Sequence, residues 1–177
     1  MLKTKSNLIL FAVYFLFGFP LFYFVYKFGT PNLGMIDFFD YYKLYEKMDF
    51  RNADSPLNMR LIGSFFVYCM SKTGIYYDTK CTIDGEPFSK IIFFNAVFFN
   101  FLCVVFTCIQ VFHLVNFKVK NLLLSFAAGT IYLLGFGTIF FEIMPLTDAF
   151  SVLMFAIVLR LYFQKNYWIF FPLILLI

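Results

Sequence analysis

Five ionisable residues stand out in a chain with few of them. Asp37 and Asp40 sit three apart in Asp37-Phe38-Phe39-Asp40-Tyr41-Tyr42, Arg60 follows Asn58-Met59, and Glu142 and Asp148 flank the stretch from Ile143 to Thr147. Carboxylates of this kind take up protons or gather cations, and beside apolar segments they are costly to desolvate, which invites a functional role. Plain structural roles compete with it. Asp37 fits a helix cap, Asp40 an ion pair with Lys43 or Lys47 along one helix face, and Asp148 an N-cap or first-turn acid. Capping explains each acid singly more easily than it explains all of them sharing one face.

Other chemistry is weakly signalled. Cys69, Cys81, Cys103 and Cys108 have no CxxC spacing, two of them fall inside an apolar run, and only Cys69 with Cys81 suggests a disulfide. The lone His113, close to Asn116 and Lys118, reads as a solvated histidine, because a metal would find no partner ligands there. No glycine-rich phosphate loop is present, and no basic run argues for nucleic acid as a partner.

The elements that position these residues follow from hydropathy. Of 177 residues, 62% are hydrophobic and only 14% charged, with a mean hydropathy of +0.83, which excludes an ordinary water-soluble domain and a disordered chain. The composition is that of an all-α, polytopic integral membrane protein lying in a lipid bilayer. A helix needs about 20 apolar residues to cross the hydrocarbon. Such runs cover Asn7–Tyr26, Ile91–Val115, Leu122–Phe141 and Leu146–Leu159, the last extended to Phe163 by a snorkelling Arg160. A further run from Tyr167 reaches only Ile177, about half a bilayer, so the expectation is a single transmembrane module over 1–177 that is cut short.

Charge then sets the topology. With a long loop from Lys27 to Lys90 on one face, Lys3, Lys5, Lys118, Lys120, Arg160 and Lys165 share the opposite face with no acid among them, as the positive-inside rule asks of the cytosolic side. The N-terminus is then cytosolic, and the loop and the segment from Glu142 to Asp148 face outward. Within the loop, Phe38, Tyr41, Tyr42, Tyr45 and Met48 at helical spacing predict an amphipathic juxtamembrane helix, and Leu61–Tyr77 predicts a second after the break at Asn52–Pro56. Gly129, Gly135 and Gly137, with Ala127 and Ala128, read as a close-packing face of the third span.

This layout resembles the N-terminal module of polytopic membrane glycosyltransferases of the GT-C fold, including bacterial enzymes that use polyprenyl-phosphate sugars. The resemblance rests on Asp37-Phe38-Phe39-Asp40-Tyr41-Tyr42 after the first span, Asn58-Met59-Arg60-Leu61 before the second loop helix, and Glu142-Ile143-Met144-Pro145-Leu146-Thr147-Asp148 between spans three and four. It departs from the family in the spacing of the first-loop acids and in Gly63, where many relatives have proline. It implies sugar transfer from a lipid-phosphate-linked donor to a glycan or lipid acceptor at the outer surface of a bacterial inner membrane, as part of cell-envelope synthesis. Asp37 or Asp40 would be the general base, Arg60 would bind the phosphate, and Glu142 and Asp148 would position the acceptor or hold a divalent cation such as magnesium or manganese. The competing classes are a transporter or channel fragment and a non-catalytic membrane subunit. Against transport stands the expectation that the spans carry no buried Asp, Glu or Lys and no Pro/Gly-broken helix pair at the midplane.

Overall fold

A computed structural model describes residues 2–28, 36–48, 61–74, 89–143 and 148–174. Among them every regular element is helical. In chain order these are α1 (Leu2–Phe28), α2 (Ile36–Lys47), α3 (Leu61–Lys72), α4 (Lys90–Val119), α5 (Leu122–Leu133), a π-turn (Thr138–Glu142), α6 (Asp148–Phe163), a 3₁₀ turn (Tyr167–Ile169) and α7 (Phe170–Ile174). At 1.5 Å per residue α1 and α4 run for about 40 and 45 Å, and both are apolar enough to cross a membrane. The first two expected spans fall wholly inside them.

α4 is the centre of the packing. α1, α5, α6 and α3 all lie against it, and its buried face runs from Ile92 to Phe112. α1 is antiparallel to it through an aromatic ladder: Phe11 meets Phe106, Phe15 meets Phe101, and Phe22 stacks on Phe101 with a 5.3 Å centroid separation. Higher up, Phe22 and Tyr26 both turn edge-on to Phe94. Two buried polar side chains of α4 bond to their own helix: the Asn95 amide donates to the Ile91 carbonyl and the Thr107 hydroxyl to the Cys103 carbonyl. Outside this core the large apolar side chains stay exposed, among them Leu16 (70%), Leu123 (76%) and Ile131 (73%).

α5 joins α1 and α4 by close approach at Gly129. A Cβ there would fall on the Tyr14 hydroxyl and come within 3.1 Å of the Cys108 carbonyl oxygen, so only glycine fits. The Tyr14 hydroxyl in turn donates to the Phe126 carbonyl at 3.2 Å.

The expected third span, Leu122–Phe141, is broken. α5 stops at Leu133, where the Tyr132 carbonyl accepts from the Gly135 amide (3.1 Å) and the Thr138 hydroxyl (2.6 Å). Two donors from outside the α-helical pattern on one carbonyl, with glycines at 135 and 137, end the helix. The chain then resumes as a π-turn, closed by the Ile143 amide on the Thr138 carbonyl. Gly129 therefore packs as expected, whereas Gly135 and Gly137 belong to the break, and a Cβ at Gly137 would meet nothing within 4 Å.

α2 and α3 pack on each other and on α4. Tyr41, Leu44 and Tyr45 of α2 and Ser64 and Val67 of α3 are buried. The Tyr42 hydroxyl accepts the Ser89 amide at 2.9 Å, occupying a donor at the start of α4, and Phe66 stacks on Phe99. α2 ends with Met48 in the left-handed region (φ 52) and α3 with Gly74 (φ 70), so the second loop helix is shorter than the expected Leu61–Tyr77. The break at Asn52–Pro56 lies outside the described residues. The run after Tyr167 is a 3₁₀ turn followed by a five-residue helix, with 175–177 outside the described residues.

Candidate functional site

The bundle has two ends. One gathers the end of α1, helices α2 and α3, and the starts of α4 and α6. Tyr26 against Phe93, Tyr42 on Ser89, and Phe66 within 6.4 Å of Phe150 fix this arrangement. Asp37 is the second residue of α2, Asp40 stands one turn further on, and Asp148 is the first residue of α6. The acid-bearing starts of two helices are thus brought to the same end by α4. Asp37 and Asp148 also sit where the helix dipole favours a carboxylate, as the structural reading of each requires. Arg60 lies just before α3, outside the described residues, and so do 144–147.

Glu142 is placed differently from its neighbour in the motif. It closes the π-turn, is half-buried, and accepts a hydrogen bond from the Tyr132 hydroxyl. Thr107, whose hydroxyl donates to the Cys103 carbonyl, lies near the same tyrosine hydroxyl, with Cys103 and Cys108 close by on α4. Thr107 is near the middle of α4, about 25 Å along it from Lys90. Glu142, Tyr132 and Thr107 therefore form a polar cluster inside an apolar bundle, at the break after α5.

This corrects the expectation of a continuous third span over Leu122–Phe141, with Glu142 half-buried just past its end. The signal was present in Gly135-Phe136-Gly137-Thr138 followed by Glu142, but a criterion based on the length of a charge-free run passes over it. A divalent cation asks for six or more oxygen ligands. Among the described residues no three His, Cys, Asp or Glu side chains come together, and Glu142 is committed to Tyr132. The described residues thus do not offer such an ion its ligands.

At the other end the start of α1 meets the ends of α4 and α6. His113, expected to be solvated, is hydrogen-bonded through Nε2 to Asn7 Oδ1 at 2.8 Å. Lys118 lies over the Phe163 ring at 4.4 Å, and Arg160 donates from Nη1 to Gln110 Oε1 at 2.8 Å. Cys69 is exposed, Cys103 and Cys108 are buried free thiols, and Cys81 lies outside the described residues.

The chain matches no protein-family model, no curated protein and no solved structure.

Proposed function

We propose that this chain supplies the first transmembrane module of a polytopic membrane glycosyltransferase, which moves a sugar from a polyprenyl-phosphate donor to a glycan or lipid acceptor on the non-cytosolic face. The observation that carries the reading is the gathering of the acid-bearing helix starts at one end of the bundle. The starts of α2 and α6, with Asp37, Asp40 and Asp148, share one end, while Lys118, Arg160, Lys165 and the first turn of α1 share the other. Long apolar helices with exposed leucine, isoleucine and phenylalanine side chains suit a lipid surround.

In that reading a carboxylate at the start of α2 takes the proton of the acceptor hydroxyl as it attacks the anomeric carbon. The bond from that carbon to the lipid phosphate breaks, and Arg60 stabilises the departing phosphate. α2, which carries Asp37 and Asp40, packs on α3 and on α4. Transfer of labelled sugar from polyprenyl-phosphate donors, measured in membranes of cells carrying the complete reading frame, tests it. Activity absent from matched membranes lacking the gene is the expected result, and equal transfer in both overturns it.

A transporter reading is favoured by one observation, the Glu142–Tyr132–Thr107 cluster at mid-depth. Intramembrane acids at a helix break commonly serve ion or proton pathways. Proton or cation flux in proteoliposomes that is lost in Glu142→Gln, with no sugar transfer by the native protein, would replace the first reading with this one.

A further inference from the structure

The end of the bundle opposite the acids holds a cavity of about 300 Å³ between α1, α4 and α6, lined by Ser6, Asn7, His113, Asn116, Arg160 and Gln164 among others. Its polar lining can donate hydrogen bonds. It includes a guanidinium, three side-chain amides and a hydroxyl, and it contains no carboxylate. Arg160 makes no ion pair among the described residues. One of its terminal nitrogens is held by Gln110, while its Nε is buried with no hydrogen-bond partner. A buried charged donor left without a partner is expensive, and the residues that could relieve it from within the chain are amides and a histidine. An acceptor carrying negative charge is the chemical complement of such a lining.

We propose that this cavity binds a phosphate ester, the headgroup of an anionic phospholipid of the cytosolic leaflet. Phosphate is acceptor-only and matches the planar fork of arginine, with amide and hydroxyl donors completing the ring around it. The volume sits at the low end of the range of about 300–1,000 Å³ for ligand sites, which suits a headgroup more than a whole soluble metabolite. A lipid is favoured over free phosphate by what surrounds the mouth. Phe117 of α4 is part of the lining and is itself exposed, an apolar surface for an acyl chain. Lys118 and Lys165, both exposed, add positive charge at the same end, and such residues near a membrane surface attract anionic lipid. The site rests on the membrane reading and is independent of the chemistry at the other end.

The test is native mass spectrometry of the purified chain in detergent, titrated in parallel with phosphatidylglycerol, phosphatidylcholine and inorganic phosphate. The expected result is one retained phosphatidylglycerol per chain, favoured about 10-fold over phosphatidylcholine and weakened about 10-fold by Arg160→Gln, the scale of losing a charge-assisted hydrogen bond. Should Arg160→Gln fail to fold, Asn116→Trp keeps the arginine and fills the cavity, and it too should weaken retention by about 10-fold or more. Arg160-dependent binding of inorganic phosphate with no lipid retained would keep the phosphate chemistry but overturn the lipid assignment. Equal retention of the two lipids, or retention unaltered in both variants, would overturn the site.

Discussion

A carboxylate that serves as a base and one that merely favours a helix end differ under a single substitution. Asp37 stands in the first turn of α2, where losing its charge removes about 0.3–1 kcal/mol of dipole stabilisation, while Asp40 shares a face with Lys43 and Lys47 and has a ready ion-pair role of similar size. Asparagine keeps the shape and an acceptor oxygen but cannot take a proton. Asp37→Asn should therefore leave expression and membrane insertion near normal and lower sugar transfer by about 10²-fold or more, with Asp40→Asn much milder. The reverse pattern would move the base to Asp40, and normal transfer in both would remove a general base from α2. Gly129 gives a stability test of the same kind. Because a Cβ there falls on the Tyr14 hydroxyl and crowds the Cys108 carbonyl, Gly129→Ala should destabilise the bundle by about 1–3 kcal/mol. At Gly137, with a helical φ of −58° and open space around it, alanine should instead stabilise by about 0.4–1 kcal/mol. Thermal unfolding of the two variants in detergent, side by side, reads both signs.

At the level of elements, the long apolar runs and helix ends were legible in the sequence because they depend on composition within one segment. Asn7–Tyr26 and Ile91–Val115 became α1 and α4, and the aromatic spacing after Asp37 became α2. The break after α5 was not legible, because it depends on competition for one carbonyl. In an uninterrupted helix the Tyr132 carbonyl would accept from Phe136, but the Gly135 amide and the Thr138 hydroxyl take it instead. Hydropathy does not register that exchange, and the same break carries Glu142 out of the expected loop and onto Tyr132. Thr138 is buried, so Thr138→Val, which keeps the volume and deletes the donor, should cost about 0.5–1.5 kcal/mol. It should also loosen the π-turn, raising the reactivity of Glu142 toward an apolar carbodiimide. Unchanged stability and reactivity would mean that the glycines alone set the break. Of the candidate site, the sequence supplied the acids and their common end, while the contact that engages Glu142 arises only when α5, the π-turn and α4 meet.

At the scale of the whole molecule the distribution of charge makes a claim that a single labelling experiment decides. Lys118, Arg160 and Lys165 lie at the end that also holds Ser6 and Asn7, and Lys3 and Lys5 begin α1 there. In the orientation we propose this end lies in the cytosol, because it gathers six basic residues with no acid among them, as the positive-inside rule asks of short cytosolic segments. The loop helices and the acids then face outward. In a chain carrying Cys69→Ser and Cys81→Ser, with Cys103 and Cys108 buried, Lys118→Cys should resist an impermeant maleimide in intact cells and react only after lysis. Thr73→Cys, exposed at the end of α3, should react in intact cells. The opposite pattern would place Asp37 and Asp148 beside cytosolic nucleotide sugars. A lipid-linked donor would then no longer be needed to explain where the acids lie, and the proposed phosphate site would face the outer leaflet. Orientation therefore governs both functional claims, since it decides which pool of phosphates each end of the bundle meets.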